Sequence, residues 1–261
     1  MRSFENAEIS TNKLSVSYEE IYNAEYSGKR DVEFFKSQLV KNKSARLLEV
    51  GCGTGRIFDG LLLANPEINY TGVDYSDAAI EYFQQTHPDT KTICGVFPDC
   101  MPEDFRGSFD TVLFTFNGLS YIPDASRPAF FRACREALVA EGHLLLHFFR
   151  FDPSRIKTEK MTATPIRDLT VNDWLIGKYI EAEVLDDSDP GTTRRVFVYK
   201  AKNASTTLEI AKEFLVYPCI VDRVLAQLRA AEFSKIQMFS DPESGEYDEG
   251  ADNLYLDLTA I

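Results

Sequence analysis

Positive charge is the first thing this sequence has little of. Its 261 residues carry 28 Lys and Arg against 41 Asp and Glu, a formal net charge of −13. That balance opposes a sequence-independent grip on a phosphate backbone, so nucleic acid is not the expected partner. Long apolar runs are also missing: nothing approaches the roughly 18 apolar residues that a membrane helix needs, and MRSFENAEISTNK lacks the apolar centre of a signal peptide. No membrane association and a cytoplasmic location are therefore expected. The five cysteines (52, 94, 100, 134 and 219) are odd in number, scattered and without C-x-x-C spacing. They indicate neither a disulfide framework nor a metal site, and a reducing compartment suits them. Internal repeats and low-complexity tracts are absent, and the length suits one large domain with an insertion.

What the chain does have is the run LLEVGCGTGRI, Leu47 to Ile57. Apolar residues around one acid read as a buried parallel strand, and Gly51, Gly53 and Gly55 then turn the chain into the apolar run Ile57 to Leu63. Glycines suit such a turn because the backbone adopts conformations that a Cβ obstructs and because a ligand can approach the main chain. The free N–H groups at the helix start favour hydrogen-bond acceptors. A dinucleotide fingerprint would place its third glycine where Arg56 stands, and a P-loop would need Gly-Lys-Ser/Thr.

This run resembles the first motif of the class I S-adenosylmethionine-dependent methyltransferases, an acid followed by x-G-x-G-x-G, here Glu49-Val50-Gly51-Cys52-Gly53-Thr54-Gly55. The resemblance implies S-adenosylmethionine as cofactor, with Glu49, Gly51, Cys52, Gly53, Gly55 and Arg56 around it. Asp74 lies 23 residues past Gly51 at the end of the next strand, NYTGVD. There it can accept from both ribose hydroxyls, a charge-assisted contact of roughly 1.5–3 kcal/mol. The alternative is a cap for the helix from Ser76 to Gln85, but Ser76 already supplies one. Tyr75 and Ile80 would flank the adenine. Asp99, eleven residues before Asp110, resembles the adenine-binding acid of the family, with Cys100 as a backbone contact; Pro98-Asp99 also reads as an ordinary turn.

The strand SFDTVLFTF ends at Phe116-Asn117-Gly118-Leu119-Ser120-Tyr121, where open α/β sheets bind ligands. Phe116 and Asn117 are expected at the cofactor and Tyr121 at the acceptor, with core packing as the alternative for Tyr121. A helix from Ser126 to Val139 leads to the fifth strand, HLLLHFF. His147 stands at its carboxyl end, either as a general base or as a satisfied structural histidine, with Phe149 and Arg150 toward the acceptor. Upstream, Tyr18 to Val40 reads as two helical pieces broken at Ser27-Gly28. Either they form an amphipathic cap or, as in small-molecule methyltransferases, Tyr18 or Tyr26 closes over the methionine moiety.

Between Asp168 and Tyr217 three alternating strands interrupt the α/β order. Similar insertions occur in N-methyltransferases that dimethylate amino sugars, where the sheet roofs the active site or dimerises. Trp174 is thus an acceptor or interface candidate. The expected architecture is α/β: a doubly wound Rossmann-like sheet closed by a C-terminal antiparallel hairpin, plus an antiparallel sheet inserted after the fifth strand. The expected boundaries are a helical cap at 1–40, a methyltransferase domain at 41–155 and 218–261, and the insertion at 156–217. The hairpin linker, DPESGEYDEGAD, holds six acids and reads as a solvated loop or as an attractor of a cationic acceptor. The implied activity is methyl transfer to a small molecule, foremost an amine nitrogen. The alternatives are a hydroxyl or phenol with His147 as base, or a cofactor-binding scaffold without turnover. A homodimer through the inserted sheet is a further expectation.

Overall fold

The computed structural model describes residues 16–28, 30–151, 161–186, 191–241 and 247–261. Residues 1–15 of the expected cap, residues 187–190 of the expected insertion and residues 242–246 of the acidic linker lie outside these residues. Seven strands form one sheet in the order β10-β11-β5-β4-β1-β2-β3. Its parallel part is β1 (Arg46–Val50), β2 (Asn69–Asp74), β3 (Lys91–Cys94), β4 (Phe109–Phe114) and β5 (Leu138–Phe149). The hairpin of β10 (Phe233–Phe239) and β11 (Asn253–Ala260) closes it, with β11 antiparallel to both neighbours. This is the doubly wound sheet with a C-terminal hairpin that the sequence leads one to expect.

Period-two alternation divides the core between the two faces. Leu48, Val112, Leu144 and Leu146 pack on one side with Phe130 and Phe131 of α5 (Arg127–Ala137) and Val224 and Leu228 of α6 (Val221–Ala230). Leu47, Leu113 and Leu145 pack on the other against α2 (Arg30–Lys41), α3 (Arg56–Ala64) and α4 (Asp77–Thr86). Because strands are covered on both faces, they read as nearly continuous apolar runs. The strand order reverses between β1 and β4, and that switch point places a crevice at their carboxyl ends.

Two boundaries differ from the sequence reading. The fifth strand does not begin after Gly142. It runs from Leu138 through Glu141, which takes φ 58°, and a register shift against β4 absorbs the irregularity. The inserted sheet has four strands, not three: β6 (Met161–Val171), β7 (Trp174–Asp186), β8 (Thr192–Lys202) and β9 (Thr207–Val216), paired antiparallel in sequence order. β6 escapes sequence reading because TATPIRDLTV is polar and carries Pro165. At the sheet edge a proline costs no ladder bond, and the register shifts between Pro165 and Arg167. On the inner face of this sheet, Trp174, Ile176, Tyr199 and Ala201 form a small core with Val16 and Ile21, on which α1 (Tyr18–Glu25) rests.

Candidate active site

The floor of the crevice is main chain. Gly51, Gly53 and Gly55 take φ of 72°, 53° and 90°, a left-handed succession that only glycine adopts without strain. Asp74 braces the turn: its carboxylate accepts from Gly53 N at 2.9 Å and from Ser76 N at 2.9 Å. Ser76 Oγ caps α4 by accepting from Ala79 N, so Asp74 is not needed as a cap. A carboxylate offers about four acceptor sites, so Asp74 keeps capacity for a further donor. Burial raises the Asp74 carboxyl above its ordinary value, against the hydrogen bonds of Ser76 and Gly53. Cys52 points away from the crevice, with its Sγ where a Cβ on Gly72 would come within 2.8 Å, so it can offer a ligand only its backbone. Glu49 lies beneath the turn and accepts from Tyr70 OH at 2.6 Å; desolvation pushes its carboxyl up to about 8.

The roof is aromatic, and α1 supplies most of it. A capping box starts the helix: Ser17 Oγ accepts from Glu20 N, and Glu20 Oε2 accepts from Ser17 N. Spacing of four then puts Tyr18, Tyr22 and Tyr26 in a ladder, with centroids 6.1 and 4.9 Å apart. Phe116, at φ 51° just past β4, meets Tyr26 at 4.7 Å and Tyr22 at 6.1 Å. Arg56 lies 4.8 Å over the same ring while paired with Asp31. Burial raises the Tyr22 phenol far above its ordinary range, with Arg56 pulling the other way. Thr54 Oγ1 donates to Asn23 Oδ1, which ties α1 to the glycine turn. Tyr121, 45% exposed, packs at 5.3 Å on Phe214 of the inserted sheet.

The structure brings Tyr18, Tyr26, Arg56, Asp74, Phe116, Asn117 and Tyr121 together with the glycine turn. Asn117 is a tie: its Oδ1 accepts from Phe149 N and Ser120 Oγ, joining the ends of β4 and β5. Tyr75 is 68% exposed beside Asp74, whereas Ile80 is buried in the core. Asp99 is exposed in the turn after β3, and Cys100 packs against the core. Trp174 is buried under α1 and does not line the crevice. Phe149 is exposed, and Arg150 is held through its backbone N to Asp252 O.

His147, expected to face the acceptor, is instead 3% exposed and stacked on Tyr255 at 4.4 Å. Its Nε2 lies 3.3 Å from Asn253 Oδ1, Nδ1 has no hydrogen-bond partner among the described residues, and desolvation lowers its pKa to about 4. It is a neutral ring in the core. Sequence reading missed Tyr22, Asn23, Glu25 and Lys178. The spacing of Tyr22 between Tyr18 and Tyr26 was the available signal, while Lys178 gave none.

A turn of this kind invites comparison with known proteins. Residues 48–144 match a family described as a methyltransferase domain. No curated protein sequence matches the chain. Among solved structures, an S-adenosylmethionine-dependent methyltransferase from Clostridium acetobutylicum is 13% identical with a TM-score of 0.75, over 93% of this chain and 96% of that one. The sugar N-methyltransferase KedS8 from Streptoalloteichus is 15% identical with a TM-score of 0.73, over 100% of both chains. SAM-bound CalS10, an amino pentose methyltransferase from Micromonospora echinaspora, is 18% identical with a TM-score of 0.71, over 97% and 100%.

Residues 48–144 thus carry a methyltransferase domain, and the chain has the fold of solved S-adenosylmethionine-dependent methyltransferases. One of the solved structures it resembles, CalS10, holds bound S-adenosylmethionine. The turn fits that cofactor, since a Cβ on Gly53 would meet nothing within 4 Å, leaving the backbone bare to a ligand. Among the described residues no cluster of His, Cys, Asp or Glu could hold a metal, and no helix is long and apolar enough to cross a membrane.

Proposed function

We propose that the enzyme methylates an amine nitrogen of a small, sugar-like acceptor held between α1, the exit of β4 and the inner face of the inserted sheet. The observation that carries this reading is the aromatic roof of Tyr18, Tyr22, Tyr26 and Phe116 directly above the glycine turn. S-adenosylmethionine supplies an electrophilic sulfonium methyl group. Asp74 and the Gly51–Gly55 turn would bind the nucleoside side, and the roof would exclude water and align the nucleophile. Alignment can lower such a barrier by as much as about 7–11 kcal/mol, more than the roughly 10²–10⁴-fold of a general base. An alkyl amine has a pKa near that of lysine, about 10.4, and attacks only when neutral; an aromatic chamber favours the neutral form by desolvation. The names of KedS8 and CalS10, a sugar N-methyltransferase and an amino pentose methyltransferase, support the acceptor class.

The alternative is a hydroxyl acceptor, for which His147, buried against Tyr255, offers no base at the crevice. The experiment that separates the readings offers matched amino and hydroxy sugars with S-adenosylmethionine and follows methyl gain by mass spectrometry. Methylation of the amino sugar alone is expected. Transfer to the hydroxy sugar alone would replace this reading, and binding of S-adenosylhomocysteine with no transfer to a broad acceptor panel would favour a scaffold. We further assign the homodimer contact to the outer face of the inserted sheet, a groove of about 730 Å³ where Lys200 and Lys202 lie beside Asp168 and Glu209. Mixed charge of this kind is self-complementary across a two-fold axis. Leu175→Glu at its exposed centre should shift a dimer to monomer in sedimentation, and a wild-type monomer would remove the assignment.

A further inference from the structure

We propose that Lys178 of the inserted sheet is a positioning residue for the methyl-transfer reaction, acting through Glu25 and Tyr26 to hold α1 over the glycine turn. The inference rests on the function proposed above. Lys178 Nζ donates to Glu25 Oε1 at 2.7 Å and to Oε2 at 2.9 Å, and both side chains are only 4% exposed. The same Nζ bonds Tyr26 OH at 3.1 Å. Aromatic rings enclose the ammonium: Phe197 at 4.4 Å, Tyr199 at 5.3 Å and Tyr26 at 5.4 Å. Desolvation lowers the Lys178 pKa, opposed by its bonds to Glu25.

Why α1 needs this anchor follows from its length and charge. An eight-residue helix is not stable alone and takes its position from tertiary partners. Ile21 is its single buried residue, so its apolar grip is small. Glu25 is its last residue, where the helix dipole disfavours an acid and favours cations. The sheet supplies two: Lys178, and Arg167, whose Nη1 donates to Glu25 O at 3.1 Å. A buried ion pair contributes little net stability over an apolar pair, but breaking one partner is costly, and such a pair can fix geometry. Here it fixes the end of α1 that carries Tyr26, while Asn23 fixes the middle to Thr54. Through α1, the inserted sheet therefore sets the height of the roof.

The test compares wild type, Lys178→Met and the double variant Glu25→Gln/Lys178→Met. It reads melting temperature, backbone amide exchange and calorimetric binding of S-adenosylhomocysteine. In Lys178→Met, exchange across 18–25 should accelerate while the main sheet stays protected, and affinity should fall tenfold or more. The double variant leaves no unpaired buried charge, so it should recover melting temperature without recovering affinity. A double variant that regains both, or a Lys178→Met protein with wild-type exchange across α1 and wild-type affinity, would overturn the proposal. Absence of S-adenosylhomocysteine binding in the wild type would count against the function, whereas the exchange of α1 decides the role of Lys178 by itself.

Discussion

The crevice has a floor and a roof, and they are built of different materials. The floor is backbone: three glycines at positive φ, braced by one carboxylate from the neighbouring strand. The roof is side chains from three places far apart in sequence, α1, the exit of β4 and the inserted sheet, packed ring on ring and pinned by a buried ion pair. A backbone floor binds what every member of a fold class must bind, since its donors do not depend on side-chain identity. A side-chain roof can change residue by residue, and the proposed function puts acceptor choice there. Single groups of the floor should therefore govern cofactor affinity and single rings of the roof turnover, whereas releasing α1 as a whole, as Lys178→Met does, should cost affinity as well.

The largest effect expected is at the floor. Asp74→Ala removes the proposed ribose acceptor and the brace on Gly53, and charge-assisted bonds of roughly 1.5–3 kcal/mol each translate into an expected loss of S-adenosylhomocysteine affinity of about tenfold to more than a hundredfold. Calorimetry that found unchanged affinity would remove Asp74 from the cofactor site. Next comes the roof: Tyr22→Ala severs contacts with Tyr18, Tyr26 and Phe116, each worth about 0.5–1.5 kcal/mol beyond burial. It should lower kcat more than cofactor affinity. A purely cofactor-side loss in steady-state kinetics would erase the distinction between floor and roof.

Smaller is a pH effect from beneath the floor. The folded-state pKa of Glu49, about 8, exceeds its ordinary 4.5, so the native protein holds this proton more tightly than the unfolded chain. The resulting stability is fully present below pH 4.5 and is lost as pH rises to 8. His147 has the opposite sign: its pKa falls from 6.5 to about 4, so its burial costs stability as pH drops through that interval. Between pH 6.5 and 8 Glu49 acts alone of the two. Stability should decline there by up to about 1.4 kcal/mol per pH unit. In urea titrations Glu49→Gln should flatten that decline, and a persistent slope would assign it elsewhere. The smallest effect is expected from His147→Phe, which keeps the stack on Tyr255. Turnover should change by less than about tenfold, whereas loss of the roughly 10²–10⁴-fold supplied by a general base would restore the catalytic role of His147.

Legibility followed the same division. The glycine turn, the place of Asp74 at the end of β2 and the break between α1 and α2 at Ser27-Gly28 could be read from the chain, because each depends on local backbone chemistry or on a short spacing along one element. β6 could not, since Pro165 and a polar pattern hide an edge strand that exists only by pairing with β7. His147 was expected at the crevice because strand ends meet there, yet alternation sends its ring to the face occupied by Leu145 and Tyr255. Ile80 and Trp174 likewise went to cores that no local pattern distinguishes from a pocket wall. By itself, then, the sequence determined the parallel sheet and its glycine turn, since buried alternation and φ preferences act over a few residues, while the cofactor class followed from the resemblance of that turn to a known motif. Only the tertiary structure decided what stands over the turn: Glu25 and Lys178, 153 positions apart, meet solely because an inserted sheet folds back onto an N-terminal helix too short to hold its place alone.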